Sequence, residues 1–196
     1  MEKYTDNPLE LETHTTVVTP AALLPLLPPL WSDITPSGAK TLAAQCMLET
    51  SGGAHCYCWN LGNEKAAADQ SHCYLHGVWE CLLPEEAVRE IASGGRRPTV
   101  EEFRAKPWWK CASGKVLVVF DPPHYQSRFA AFSNIEDGAA HWILKHRSIA
   151  RSEPDYVRAV NAGDCATVAH ILAKHHYYNG MEALYAHGMA EQLAKL

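Results

Sequence analysis

The chain contains no long apolar run. Its best candidate, Ala21 to Leu30, is too short to cross a bilayer and is interrupted by Pro25, Pro28 and Pro29, so no membrane span is expected. A block of positive charge is missing as well. Seventeen Lys and Arg stand against 22 Asp and Glu, a formal net charge of −5. Nucleic-acid binding draws its affinity from phosphate neutralisation, so no nucleic-acid partner is expected. There is no P-loop, no dinucleotide fingerprint and no HExxH-like spacing around His170, His175 or His176, which leaves nucleotide and zinc-peptidase chemistry without a signature. Internal repeats and low-complexity tracts are absent too. Met1 to Thr19 is polar and acidic, without the apolar centre of a secretory signal. The expectation is a cytoplasmic start, a domain of a larger protein, or cargo for an export apparatus that needs no such signal.

What is present reads as an ordinary folded domain: 196 residues, 47% hydrophobic and 20% charged. A chain of that size can bury a core without disulfides or metal. Seven cysteines, an odd number, leave at least one outside any disulfide. Cys46, Cys56, Cys58, Cys73 and Cys81 are interleaved with His55, His72 and His76. Disulfides, buried thiols and structural zinc all remain open for this cluster. The Cys56-Tyr57-Cys58 spacing lacks the two-residue spacer of a zinc knuckle.

The pattern predicts a polar arm over residues 1–18, followed by one domain over 19–196 with an insertion at about 66–112. Thr35-Pro36 starts a helix to about Glu49, with Leu42, Ala43, Cys46 and Met47 as its apolar stripe and Ser51-Gly52-Gly53 as its stop. Residues 54–65 read as irregular, and a short strand-like piece covers Cys73 to Cys81. A helix runs from Pro84 to Ser93, and Thr99 with Glu102 caps another. Lys115 to Asp121 is the clearest strand, and Arg128 to Phe132 is expected to pair nearby. Ser133 and Glu136 read as a capping box for a helix to about Ser148. Helices over Pro154–Ala162, Asp164–Lys174 and about Glu182–Lys195 follow. The class is α+β, mainly α.

Glu49 is the first candidate for chemistry. A carboxylate at a helix C-terminus faces the negative end of the dipole, and burial acts in the same sense; both raise the pKa. A carboxylic acid that keeps its proton near neutrality is what a general acid requires. Cys46, inside the apolar stripe, reads as buried rather than as an activated nucleophile.

The text around Glu49 resembles a known family. Ala44-Gln45-Cys46-Met47-Leu48-Glu49-Thr50-Ser51-Gly52-Gly53, followed by Trp59-Asn60-Leu61-Gly62-Asn63-Glu64-Lys65, is similar to the glucosaminidase-type peptidoglycan hydrolases of glycoside hydrolase family 73. Phe120-Asp121-Pro122-Pro123, Arg128 to Phe132, Ile135 to Ala140, Ala162-Gly163-Asp164, Tyr177-Tyr178 and Tyr185-Ala186 follow in the family's order. The resemblance implies a lysozyme-like helical lobe with a small β-lobe and an inserted helical segment. It makes Glu49 the general acid. Glu80, in Trp79-Glu80-Cys81, is the nearest match to the family's second carboxylate, although the threonine of the T-x-E context is missing. His176 to Asn179 matches a groove-lining tyrosine segment, giving Tyr177 a catalytic role and Tyr178 a place beside it. Asn60, Asn63, Glu64, Trp59 and Trp108 are the expected sugar-binding residues, the tryptophans by stacking on pyranose faces.

The implied activity is cleavage of β-1,4 bonds between N-acetylglucosamine and N-acetylmuramic acid. No cofactor or metal is called for, the partners are peptidoglycan strands and an immunity protein, and the chain acts as a monomer. The workplace is the periplasm or cell wall, reached through a secretion system, by phage lysis or as part of a larger protein. A non-catalytic peptidoglycan-binding module and a zinc-stabilised interaction domain are the alternatives.

Overall fold

The computed structural model describes residues 9–178 and 180–196. The expected N-terminal arm therefore falls outside the described residues over 1–8, as does Asn179 of the tyrosine segment. Helix accounts for about 49% and strand for about 12%, with small antiparallel sheets, so the class is α+β dominated by helix.

A short strand β1 (Thr15–Thr16) precedes α1 (Pro20–Leu23), a single 3-10 turn and α2 (Leu27–Leu30). The prolines of this stretch stand in the first turns, where a missing N–H is harmless. Helix α3 (Pro36–Glu49) starts on Thr35, whose hydroxyl accepts from the Gly38 N–H at 3.1 Å. Asn161 supports the same start, its Oδ1 accepting from the Thr35 N–H at 2.8 Å. Ser51, Gly52 and Gly53, all at positive φ, end the helix. Then come β2 (Cys56–Tyr57), β3 (His72–Tyr74), β4 (Val78–Leu82), α4 (Pro84–Ala92), α5 (Val100–Ala105), β5 (Val116–Phe120) and β6 (Arg128–Ala130). The C-terminal part is helical: α6 (Ile135–Ser152), α7 (Asp155–Ala162), α8 (Cys165–Lys174) and α9 (Glu182–Leu193).

Two compact units emerge. One comprises His14–Glu64 and Ala131–Leu196; the other comprises Lys65–Ala130 with residues 9–13. The insertion expected over 66–112 lies within the second.

In the first unit α3 is the centre, packed by α7 and α9. Its burial is wider than the expected stripe: Ala39, Thr41, Leu42, Ala43, Ala44, Gln45, Cys46 and Met47 are all covered. Alanines and Gly38 give the neighbouring helices room to approach. The core continues through Leu23, Leu27, Trp142, Ile143, Tyr156, Val168 and Leu172.

In the second unit the expected strand over Cys73–Cys81 is two strands, separated where Gly77 adopts a positive φ and donates its N–H to Asp121 at 2.8 Å. They have different partners. β3 pairs antiparallel with β6 and β4 with β5, so β6 joins β3 rather than its neighbour in sequence. Ala87, Val118 and Phe120 form one small core, and Trp109, Leu117 and Val119 another. Cys81 and Cys111 form a disulfide in this unit. Cys46, Cys56, Cys58, Cys73 and Cys165 are buried.

One cap differs from the sequence reading. The N-cap of α6 is Asn134, not Ser133: its side chain accepts from the Asp137 N–H at 2.8 Å and donates to the Asp137 carboxylate at 2.8 Å. Asn134 caps the first turn one residue later than the Ser133/Glu136 box would, and the Asp137 carboxylate holds the capping amide. The helix also continues past Ser148 to Ser152, just ahead of Pro154.

Candidate functional site

Near the end of α3 the buried face turns polar, with Gln45 and Glu49 one turn apart. Gln45 is fully buried and Glu49 half-buried. The Tyr185 hydroxyl, from α9, donates to Glu49 Oε1 at 2.5 Å. Gln45 Nε2 donates to Tyr185 Oη at 2.8 Å and stands 3.5 Å from the same Glu49 oxygen. Burial raises the Glu49 pKa above the usual carboxylate range, and the nearby Glu64 charge adds to the rise. The Tyr185 hydrogen bond and the Lys145 ammonium act the other way without cancelling it.

A second carboxylate, Glu64, belongs to the same unit. The Asn60 side chain fixes its backbone, accepting from the Glu64 N–H at 2.9 Å and donating to the Glu64 carbonyl at 2.8 Å. Glu64 Oε2 meets Lys145 Nζ at 3.2 Å and lies 3.6 Å from His141 Nε2, both on one face of α6 at a spacing of four. The Glu64 side chain is only 10% exposed. Burial alone would raise its pKa, but the His141 hydrogen bond and the Lys145 charge outweigh it, and the group is held below the usual range. Two carboxylates of one unit are thus pushed in opposite directions, which is how acid and base roles are divided in many active sites.

The tyrosines connect them. Tyr177 Oη accepts from Trp142 Nε1 at 3.1 Å, and Lys145 Nζ stands 4.4 Å from the Tyr177 ring centroid. Burial drives the Tyr177 pKa far above the ordinary phenol, with the Glu64 and Glu49 charges adding. Tyr178 stacks on Tyr185 at 3.8 Å between ring centroids and donates its hydroxyl to the Ala169 carbonyl at 3.0 Å. It backs the Glu49 partner rather than presenting a free hydroxyl. Gly62 lies where a Cβ would come 2.6 Å from Tyr177 Oη, 2.8 Å from Glu64 Oε1 and 2.9 Å from Trp142 Cδ1. Only glycine fits there.

The expected site residues therefore fall into two sets. Glu49, Tyr177, Tyr178, Asn60 and Glu64 are brought into one unit and linked. The Asn60 amide is engaged within its own loop, while Asn63 is exposed at φ 51°. Trp59, also at positive φ, packs on the core and is half-buried. Glu80 and Trp108 belong to the other unit. Glu80 is half-buried on β4, its pKa raised by burial against the charges of Lys65 and Lys115. Trp108 is 64% exposed, whereas its neighbour Trp109 is buried.

That unit also holds a group with the outline of a hydrolase triad: Ser93 Oγ is 3.1 Å from His124 Nε2, and Glu90 is 3.6 Å from the same nitrogen. The protonation is wrong for it. His124 Nδ1 accepts from the Gln126 N–H at 3.1 Å, so Nε2 carries the proton and cannot take one from a serine. Among the described residues no three His, Cys, Asp or Glu side chains are grouped as a metal ion requires. No described helix is long and apolar enough to cross a membrane.

Lys145, His141 and Trp142 were not legible as site residues. The available signal was the four-residue spacing of His141 and Lys145 on a helix whose other face is apolar. No protein-family model, curated protein or solved structure matches the chain.

Proposed function

We propose that the protein is a peptidoglycan hydrolase of lysozyme-like construction, cleaving β-1,4 bonds between N-acetylglucosamine and N-acetylmuramic acid with Glu49 as general acid. The observation that carries this reading is the state of Glu49: a half-buried carboxyl at the C-terminus of a buried helix, holding its proton more tightly than an ordinary glutamate, with Tyr185 and Gln45 fixing one oxygen. Such a group can protonate the departing glycosidic oxygen. The order of motifs from Ala44 to Ala186 supports the choice of substrate. In this mechanism the positive charge of the oxocarbenium-like transition state is met by the acetamido group of the substrate. Tyr177 supplies a phenol to hold a water or that acetamido group. Asn63 and Trp59 supply an amide and an indole face for sugar rings.

The substrate lies outside the cytoplasmic membrane, so on this reading the protein is a bacteriolytic effector or a lysin, and an inhibitory immunity protein is its expected protein partner. The test is Glu49→Gln on purified protein. It should abolish the turbidity loss of cell-wall suspensions while leaving circular dichroism and muropeptide binding unchanged. A variant that still clears walls refutes the assignment.

A further inference from the structure

Among the described residues, Lys145 is the cation whose charge acts on Glu49, and it is held by something else. Its Nζ makes a 3.2 Å ion pair with Glu64 Oε2 and stands 4.4 Å from the centroid of the Tyr177 ring. Glu64 is itself fixed: Asn60 binds both its N–H and its carbonyl, and His141 shares the same oxygen. Tyr177 is fixed in turn by the Trp142 indole. A lysine side chain is long and flexible, with three donors, and can change partners readily when released.

We propose that Glu64 is a positioning residue: it anchors the Lys145 ammonium over the Tyr177 ring and so keeps that cation from pairing with Glu49. The inference deepens the general-acid reading of Glu49 and rests on it for its consequence, since a lysine paired with Glu49 would ionise the acid. Glu49 is in hydrogen-bond reach of Gln45 from α3 and Tyr185 from α9, and it interacts electrostatically with Cys46 from α3, Lys145 from α6, Tyr177 after α8 and Glu64 from the loop after β2. Of these, Lys145 alone carries positive charge, and Glu64 is the carboxylate paired with it.

The experiment is a carboxyl carbon NMR titration of Glu49, assigned with E49Q, in wild type, E64Q, K145M and the double variant E64Q/K145M. In E64Q the released ammonium should lower the proton affinity of Glu49 by about tenfold, the effect of a close opposite charge. In the K145M background the same substitution should lower it by less than about threefold. An equal loss in both backgrounds would mean that Glu64 acts by its own charge alone, and would overturn the proposal; so would no loss in E64Q. Should E64Q fail to fold, K145M alone decides. An anchored ammonium predicts a rise in Glu49 proton affinity below about threefold, and a rise of about tenfold or more overturns the anchor. Wall clearance by E64Q should fall about tenfold at pH values above the wild-type Glu49 midpoint and recover at lower pH. Absence of clearance by wild type would defeat the glycosidase reading and leave the titrations, and this inference about Lys145, standing.

Discussion

Glu49 is subject to two unfavourable influences of the same sign, the partial negative charge at the end of α3 and removal from water. Its hydrogen bond from Tyr185 does not offset them. The folded state therefore binds this proton more tightly than the unfolded chain does. Stability from that source is fully present below the unfolded-state pKa and is lost as the pH rises through the higher folded-state value. A neutral amide at the same place escapes the loss. Glu49→Gln should be more stable than wild type at neutral pH, by about 2–4 °C in Tm, with the difference shrinking toward pH 4.5. Thermal melts of both proteins across that range check it. A variant less stable than wild type at pH 7 would mean that the carboxylate is at ease where it sits. Glu64 has the opposite character. Its lowered pKa makes its ion pair a source of stability above the unfolded-state value, lost only as the pH falls through the folded-state value.

At the level of elements, much was readable in the chain. Thr35-Pro36 and the Ser51-Gly52-Gly53 stop bound α3 at both predicted ends, because caps and positive-φ turns are local and carry their own chemistry. Thr99 and Glu102 cap α5 for the same reason. Strand partnership was not readable: β6 pairs with β3 across more than fifty residues, and nothing local specifies that. The candidate site divides the same way. Glu49 and Tyr177 stand in recognisable segments, whereas Lys145 and His141 enter the site only through packing of α6 against the loop that carries Glu64. That loop makes a prediction of its own. Gly62→Ala would put a methyl group against Tyr177 Oη, Glu64 Oε1 and the Trp142 ring. It should cost about 1–3 kcal/mol of stability, and it should lower wall-clearing activity by more than an equally destabilising change at the distant Gly38 does. Urea unfolding and clearance assays on the two variants separate local displacement of the site from general loss of stability.

For the whole molecule, the two units differ in what holds them together. The unit of Lys65–Ala130 has small split cores and a disulfide closing Cys81 to Cys111. The unit that carries Glu49 has one large core, with His146 enclosed in it beside the Tyr156 hydroxyl at 2.6 Å. Burial pushes the His146 pKa down to about 3. The unfolded imidazole protonates near its ordinary value of 6.5, so stability is full above that pH and falls as the pH drops toward 3. Glu49 pulls the same curve the other way. Acid unfolding followed by tryptophan fluorescence should be less steep between pH 6 and pH 4 in His146→Gln than in wild type; an unchanged slope would assign acid sensitivity elsewhere.

All of these effects serve one proposed reaction, and its products can be read directly. Purified peptidoglycan digested with the protein, then analysed by mass spectrometry, should release disaccharide muropeptides whose reducing or anhydro ends identify the bond broken, and Glu49→Gln should release none. Glycan strands left intact by the wild-type protein, or the same fragments from both proteins, would contradict the account.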